Sequence, residues 1–157
     1  MAQFSPVSEA VLAALTAVVT SDNISTAEAE RQLHAQDMSQ HAPSLSEVVV
    51  WPTTAQQVAN VLRIANENHI PLTPWGAGSS LEGNPIPLFG GILLSLQRMD
   101  QIITLHEDDF QVTVQPGIGY KDLNEFLGRH ASFLPQTREP MPPLAACWQT
   151  MQQAAAR

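Results

Sequence analysis

The chain has 157 residues, 44% of them apolar and 14% charged, which suits a single globular domain and argues against a disordered chain. Seven Lys and Arg against fifteen Asp and Glu give a net charge of −8, which would repel a polyanion, so nucleic acid is not an expected partner. The one cysteine, Cys147, rules out an internal disulfide and fits a reducing compartment, so a cytoplasmic location is expected.

Residues 1–42 read as a helical extension. Ser5 is placed to cap a first helix with Pro6 at its opening position, and Val7, Val11, Leu12 and Leu15 share one face. The apolar run from Val7 to Val19 has the length of a signal-peptide core. No basic residue precedes it and Glu9 interrupts it, so a packed helix is expected in place of a secretory signal. No apolar run is long enough to span a bilayer. A second short helix is predicted from Thr26 to about Leu33.

Residues 43–134 alternate strand and helix patterns. Val48-Val49-Val50-Trp51 is the continuous apolar run of a strand buried on both faces, and Pro52 ends it. Thr53 and Gln56 form a capping-box pair ahead of a helix that buries Val58, Val61, Leu62 and Ala65. That helix is predicted to stop near His69, ahead of Pro71. Leu72-Thr73-Pro74-Trp75 follows as the second strand of a β-α-β unit. Three more strands are predicted at Ile92–Leu96, Ile102–Leu105 and Phe110–Gln115. A last helix runs from Tyr120 to His130 and buries Leu123, Phe126 and Leu127.

All eight glycines lie between Gly76 and Gly128, so tight turns and close backbone approach belong to this half of the chain. The stretch Pro74-Trp75-Gly76-Ala77-Gly78-Ser79-Ser80-Leu81-Glu82-Gly83 carries the chemistry. Small residues directly after a strand leave several backbone N–H groups exposed in a turn, and such a nest binds anionic oxygens without a basic side chain. Ser79 and Ser80 add hydroxyl donors, and a diphosphate is the natural guest. The dinucleotide fingerprint is not met, because Leu81 stands where its third glycine belongs and Asn84-Pro85-Ile86-Pro87 denies a helix. No Lys follows the glycines, so the Walker pattern fails as well. On spacing alone an ordinary glycine-rich turn remains the alternative.

The segment from Val48 to Phe133 resembles the FAD-binding domain of vanillyl-alcohol-oxidase-type, or PCMH-type, flavoproteins, and most of all the branch with D-lactate dehydrogenases and the glycolate oxidase flavoprotein subunit. Five stretches carry the resemblance in one colinear order: Val-Val-Val-Trp-Pro-Thr-Thr at 48–54, Ile70 through Gly83, Gly90-Gly91-Ile92 through Met99-Asp100, Asp109 through Gln115-Pro116-Gly117, and Leu123-Asn124. The resemblance implies an α+β fold with α/β-like subdomains, the N-terminal part of a two-subdomain FAD-binding fold. It implies that the amides of Gly76, Ala77, Gly78, Ser79 and Ser80 hold the FAD diphosphate. Pro74, Trp75 and Leu81 would shape the loop, Gly83 would lie beside the flavin, and Pro116 and Gly117 would turn the chain near the cofactor. Some relatives link FAD to a His in this loop; none stands here, so noncovalent FAD is expected.

The pattern changes at residues 135–157. After Phe133-Leu134-Pro135 the family carries a second glycine motif of the form Pro-Asp-Pro-Gly-Ala-Asp-Ala-Thr-Ile-Gly-Gly, with further FAD contacts. Here the chain reads Pro-Gln-Thr-Arg-Glu-Pro-Met-Pro-Pro-Leu-Ala-Ala-Cys-Trp. Pairing each codon's third base with the next codon's first two forces Ala from Met141-Pro142, Leu from Cys147-Trp148, Ala from Trp148-Gln149 and Ala from Met151-Gln152. Those forced residues agree with the missing motif, which the remaining codons can spell, so a frameshift near Pro135 is expected, with a divergent tail as the alternative. No counterpart of the family's substrate domain follows, the five His residues show no metal-ligand spacing, and no nucleophile–base pair is visible. No catalytic or metal residue is therefore assigned. Strands from Ile92 onward are expected to lack neighbours and to leave an uncovered apolar face. The chain is expected to be inactive alone and to bind FAD weakly. A non-catalytic remnant, or an accessory flavin subunit completed by a partner, are the competing expectations.

Overall fold

The computed structural model describes residues 4–130 and 133–134, and the tail from 135 onward, with its frameshift reading, lies outside them. The first helix, α1, spans Glu9–Val19, and its cap is Ser8, whose hydroxyl accepts the Val11 N–H at 3.3 Å. Sequence reasoning placed the cap at Ser5. The displacement has a physical cause: the Ser5 N–H donates to the His69 carbonyl at 3.0 Å and the Val7 N–H to Glu47 Oε2 at 2.8 Å. Those long-range bonds use the amides that a helix starting at Ser5 would leave open. Val11, Leu15 and Val19 form the buried stripe of α1.

A two-residue strand, β1 (Ile24–Ser25), was not foreseen and precedes α2 (Glu28–Leu33). Strand β2 (Val48–Val50) is buried throughout, as its unbroken valine run requires. Helix α3 (Ala55–Glu67) is capped by Thr54, which accepts the Gln57 N–H at 3.2 Å, while Gln57 Oε1 accepts the Thr53 N–H at 2.7 Å. The expected Thr53–Gln56 box is therefore not formed; Thr54 is the cap, and Gln57 reaches back past it to the Thr53 N–H. Val61 and Ala65 are buried as predicted, whereas Leu62 faces solvent and Ile64 packs against the core in its place. Strands β3 (Leu72–Trp75) and β4 (Ile92–Ser95) follow, then β5 (Ile102–His106), β6 (Gln111–Val114) and α4 (Tyr120–Gly128).

The main sheet has the order β1-β2-β4-β3, with β2, β4 and β3 parallel and β1 antiparallel at the edge. β4 is thus an interior strand, paired on both sides, which corrects the expectation of missing neighbours for that strand. The reason is that the 76–91 connection carries the chain back between the two strands of the β-α-β unit. Side chains alternate across the sheet. Val48, Val50, Ile92 and Leu94 meet α1 and α3 on one face, while Val49 and Leu93 meet Trp51 and Trp75 on the other. Leu15, Ile92 and Leu93 are fully buried, each contributing about 1.5–3 kcal/mol. The N-terminal segment is part of this first core.

β5 and β6 form a separate antiparallel hairpin whose outer edges are unpaired among the described residues. It packs through Ile102, Leu105, Val112 and Val114 on Leu123 and Leu127 of α4. The turn between them passes through Phe110, which has φ +53 and is 91% exposed. Among the described residues no helix is long and apolar enough to cross a membrane.

Candidate functional site

The glycine-rich loop leaves the C-terminal end of β3, the edge of a parallel sheet at which ligands collect in open α/β folds. No helix begins in it; the chain turns through Asn84 and Pro85 instead. Gly78 has φ +65 and Gly83 φ +77, conformations that a side chain would resist. A Cβ at Gly78 would lie 2.5 Å from the Trp75 ring, so the backbone is folded directly onto the indole. Trp75 itself is buried, and the His34 ring stands edge-on to it at 5.2 Å and to Trp51 at 5.7 Å. This tryptophan is core packing that shapes the floor of the loop.

Gly76, Ala77 and Gly78 are half-buried, and among the described residues no acceptor takes their backbone N–H groups. Half-buried donors of this kind call for an acceptor, and a run of them suits an anionic oxygen. Ser79 is buried; Ser80 Oγ accepts the Glu82 N–H at 3.1 Å and donates to Asn84 Oδ1 at 3.2 Å. Pro74 is exposed, as is Leu81 at 66%. No basic side chain belongs to the loop. Arg98 instead donates to the Asp22 carbonyl at 2.8 Å and to Asn23 Oδ1, and lies over the Trp51 ring at 5.0 Å.

The second candidate segment reaches the same end of the sheet. The Leu96 N–H donates to the Trp75 carbonyl at 2.9 Å, and the Gly117 N–H donates to the Met99 carbonyl at 2.7 Å. A Cβ at Gly117 would sit 2.2 Å from the Leu96 carbonyl and 2.8 Å from that of Met99. Gly117 is therefore required by close backbone packing on the 96–99 turn, next to the strand end that launches the loop. Pro116 beside it is exposed.

Sequence reasoning missed a further group. Asp37 is buried, and its Oδ2 accepts the Gly83 N–H at 2.9 Å while its Oδ1 accepts the Ser39 N–H at 3.0 Å and the Ser39 hydroxyl at 2.5 Å. Burial pushes the Asp37 carboxyl up, but the hydrogen bonds from Ser39 and Gly83 outweigh it and hold the carboxyl below the usual aspartate range. The Met38 N–H donates to the Ser80 carbonyl at 3.0 Å, and the His41 ring lies against Gly83. Asp37-x-Ser39 is legible as an Asx turn; its contact with a loop 46 residues onward is not.

Residues 46–141 match the family described as the FAD binding domain, and the chain belongs to that family. A probable mitochondrial D-lactate dehydrogenase of Danio rerio is 36% identical over 119 residues, covering 76% of this chain and 24% of that protein. The glycolate oxidase subunit GlcD of Bacillus subtilis is 28% identical over 114 residues, covering 73% of this chain and 24% of its own length. The chain thus spans about a quarter of the length of these relatives. A p-cresol methylhydroxylase crystal structure shares the fold with a TM-score of 0.70 at 21% identity, over 78% of this chain and 24% of that one. The resemblance drawn from the five sequence stretches, and the α+β fold it implied, are borne out.

Proposed function

We propose that the loop from Gly76 to Gly83 holds the diphosphate of FAD, and that the chain is the N-terminal FAD-binding part of a flavin-dependent oxidoreductase acting on a 2-hydroxy acid of the D-lactate or glycolate type. The observation that carries the reading is the set of unshared N–H groups at Gly76, Ala77 and Gly78, folded against Trp75 at the carboxyl end of a parallel sheet. These backbone donors match the acceptor-only chemistry of a diphosphate. FAD would supply the hydride acceptance, and the Gly76–Gly78 amides would hold its diphosphate in place for it. Gly83 and Gly117 let the chain pack closely on the His41 ring and on the 96–99 turn. The loop has no His, which supports noncovalent attachment. Lone Cys147 fits a reducing interior, the cytoplasm in the first instance.

The chain spans about a quarter of the length of these relatives, so on its own weak FAD affinity and no catalysis are expected. Titration of the full chain with FAD, read by flavin fluorescence, is expected to give a dissociation constant above about 1 µM, with ADP competing. No binding of either ligand at millimolar concentration would remove the loop as the site. A stoichiometric yellow protein of submicromolar affinity would instead contradict the need for a second half. A completing partner subunit is a second reading, favoured by Leu81, Leu88 and Phe89, which are 66%, 69% and 71% exposed on the stretch that follows the glycines. Co-purification of a stoichiometric second chain tests it.

A further inference from the structure

We infer that Asp37 is the positioning residue of the candidate FAD loop, holding Gly83 through its carboxylate so that the Gly76–Gly78 amides face one point. The inference rests on the FAD reading above. A loop with two glycines at positive φ has little conformational preference of its own. Its amides converge only if something outside the loop restrains it, because unrestrained residues lose entropy when a ligand orders them. One end is fixed by β3 and the buried Trp75. The other is gripped by the 37–41 segment, through Asp37 on the Gly83 N–H at 2.9 Å and the Met38 N–H on the Ser80 carbonyl at 3.0 Å. The His41 ring then packs where a Gly83 Cβ would stand, 2.6 Å from its Cδ2, so the glycine is locked under the strap.

The carboxylate is required by its acceptor count. Asp37 uses both oxygens and meets only donors: the Gly83 N–H on one, the Ser39 N–H and hydroxyl on the other. An asparagine in this position carries a single acceptor oxygen and an amide NH2 that must face one of those donors. Asp37→Asn therefore loses either the bond to Gly83 or the turn that presents the strap to the loop, and both losses loosen the loop, with almost no change in volume.

The test compares the full wild-type chain with Asp37→Asn and Ser39→Ala by hydrogen–deuterium exchange, with and without FAD, and measures FAD affinity for each. In the free chain Asp37→Asn is expected to speed exchange across residues 79–84 about tenfold, leave α3 unchanged, and weaken FAD about tenfold. Ser39→Ala, which keeps the carboxylate and removes one of its donors, is expected to move both in the same direction by less. It decides the matter if Asp37→Asn speeds exchange everywhere, the mark of global unfolding. Unchanged loop exchange in a folded Asp37→Asn chain overturns the inference whether or not FAD binds. So does tighter FAD binding, the outcome if Asp37 acts only as a like charge near the diphosphate. Failure of FAD to slow exchange in the wild-type loop would overturn the FAD reading instead, while the free-chain comparison still decides what Asp37 holds.

Discussion

Replacing Gly78 by alanine tests the loop geometry with one methyl group. The new Cβ would lie 2.5 Å from Trp75 Cζ2 and 3.1 Å from Cη2, on a backbone with φ +65. The left-handed conformation alone costs an alanine about 1–2 kcal/mol. The indole cannot swing away freely, because it is packed with Val49, Trp51 and Leu93, and overpacking of that kind adds about 1–3 kcal/mol. The chain can relieve the clash only by moving the loop, which separates the donors at Gly76 and Gly78. Gly78→Ala is therefore expected to lose at least about 2 kcal/mol of stability, or to spare it by giving up FAD binding. For a domain of this size a 2 kcal/mol loss lowers the thermal midpoint by about 4–8 °C. The control is Gly128→Ala, the same chemical change at the last residue of α4, where a Cβ meets nothing within 4 Å. There the gain in helix propensity is about 0.5–1 kcal/mol, so the midpoint rises. Thermal melts followed by circular dichroism, with FAD titrations on both variants, read the contrast. If Gly78→Ala melts and binds FAD like the wild type, the account of the loop is wrong.

Acid should loosen the strap. The folded Asp37 carboxyl titrates below its unfolded value, so its stabilisation is present above about pH 3.9, the unfolded pKa, and is lost as pH falls through the lower folded one. The wild-type midpoint is expected to fall more steeply than that of Asp37→Asn below about pH 4, and parallel pH profiles would count against the shift. Thr54→Ala removes the hydroxyl that accepts the Gln57 N–H and is expected to cost about 1 kcal/mol in urea unfolding with no change in slope.

Local chemistry made much of this legible, and non-local pairing hid the rest. The valine run at 48–50 and the tandem threonines and glutamines at 53–57 announced β2 and the start of α3. The cap slipped by one residue because Thr53 and Thr54, like Gln56 and Gln57, offer the same groups at adjacent positions. β1 has two residues and no periodicity; it is a strand only because Ile24 and Ser25 pair with Val50 and Val49. Likewise the glycine loop could be read from its own residues, while Asp37, which bonds to it, carries no local mark of that contact. The Ser5 cap failed for the same reason, since the amides at 5 and 7 are taken by His69 and Glu47.

The strand order has a kinetic consequence. β3 pairs only with β4, and β2 and β3 are joined only through β4, so the link between them is supplied by the last of the sheet's four strands to be synthesised. On a growing chain α1, β2, α3 and β3 emerge while Val48, Val50 and Leu72 still await Ile92 and Leu94. Such late, long-range closure is intrinsically slow and leaves strand edges open while it waits. A substitution at Leu93 or Leu94 should therefore slow folding more than one of equal thermodynamic cost in α1, making β4 the place where folding rate and stability part company.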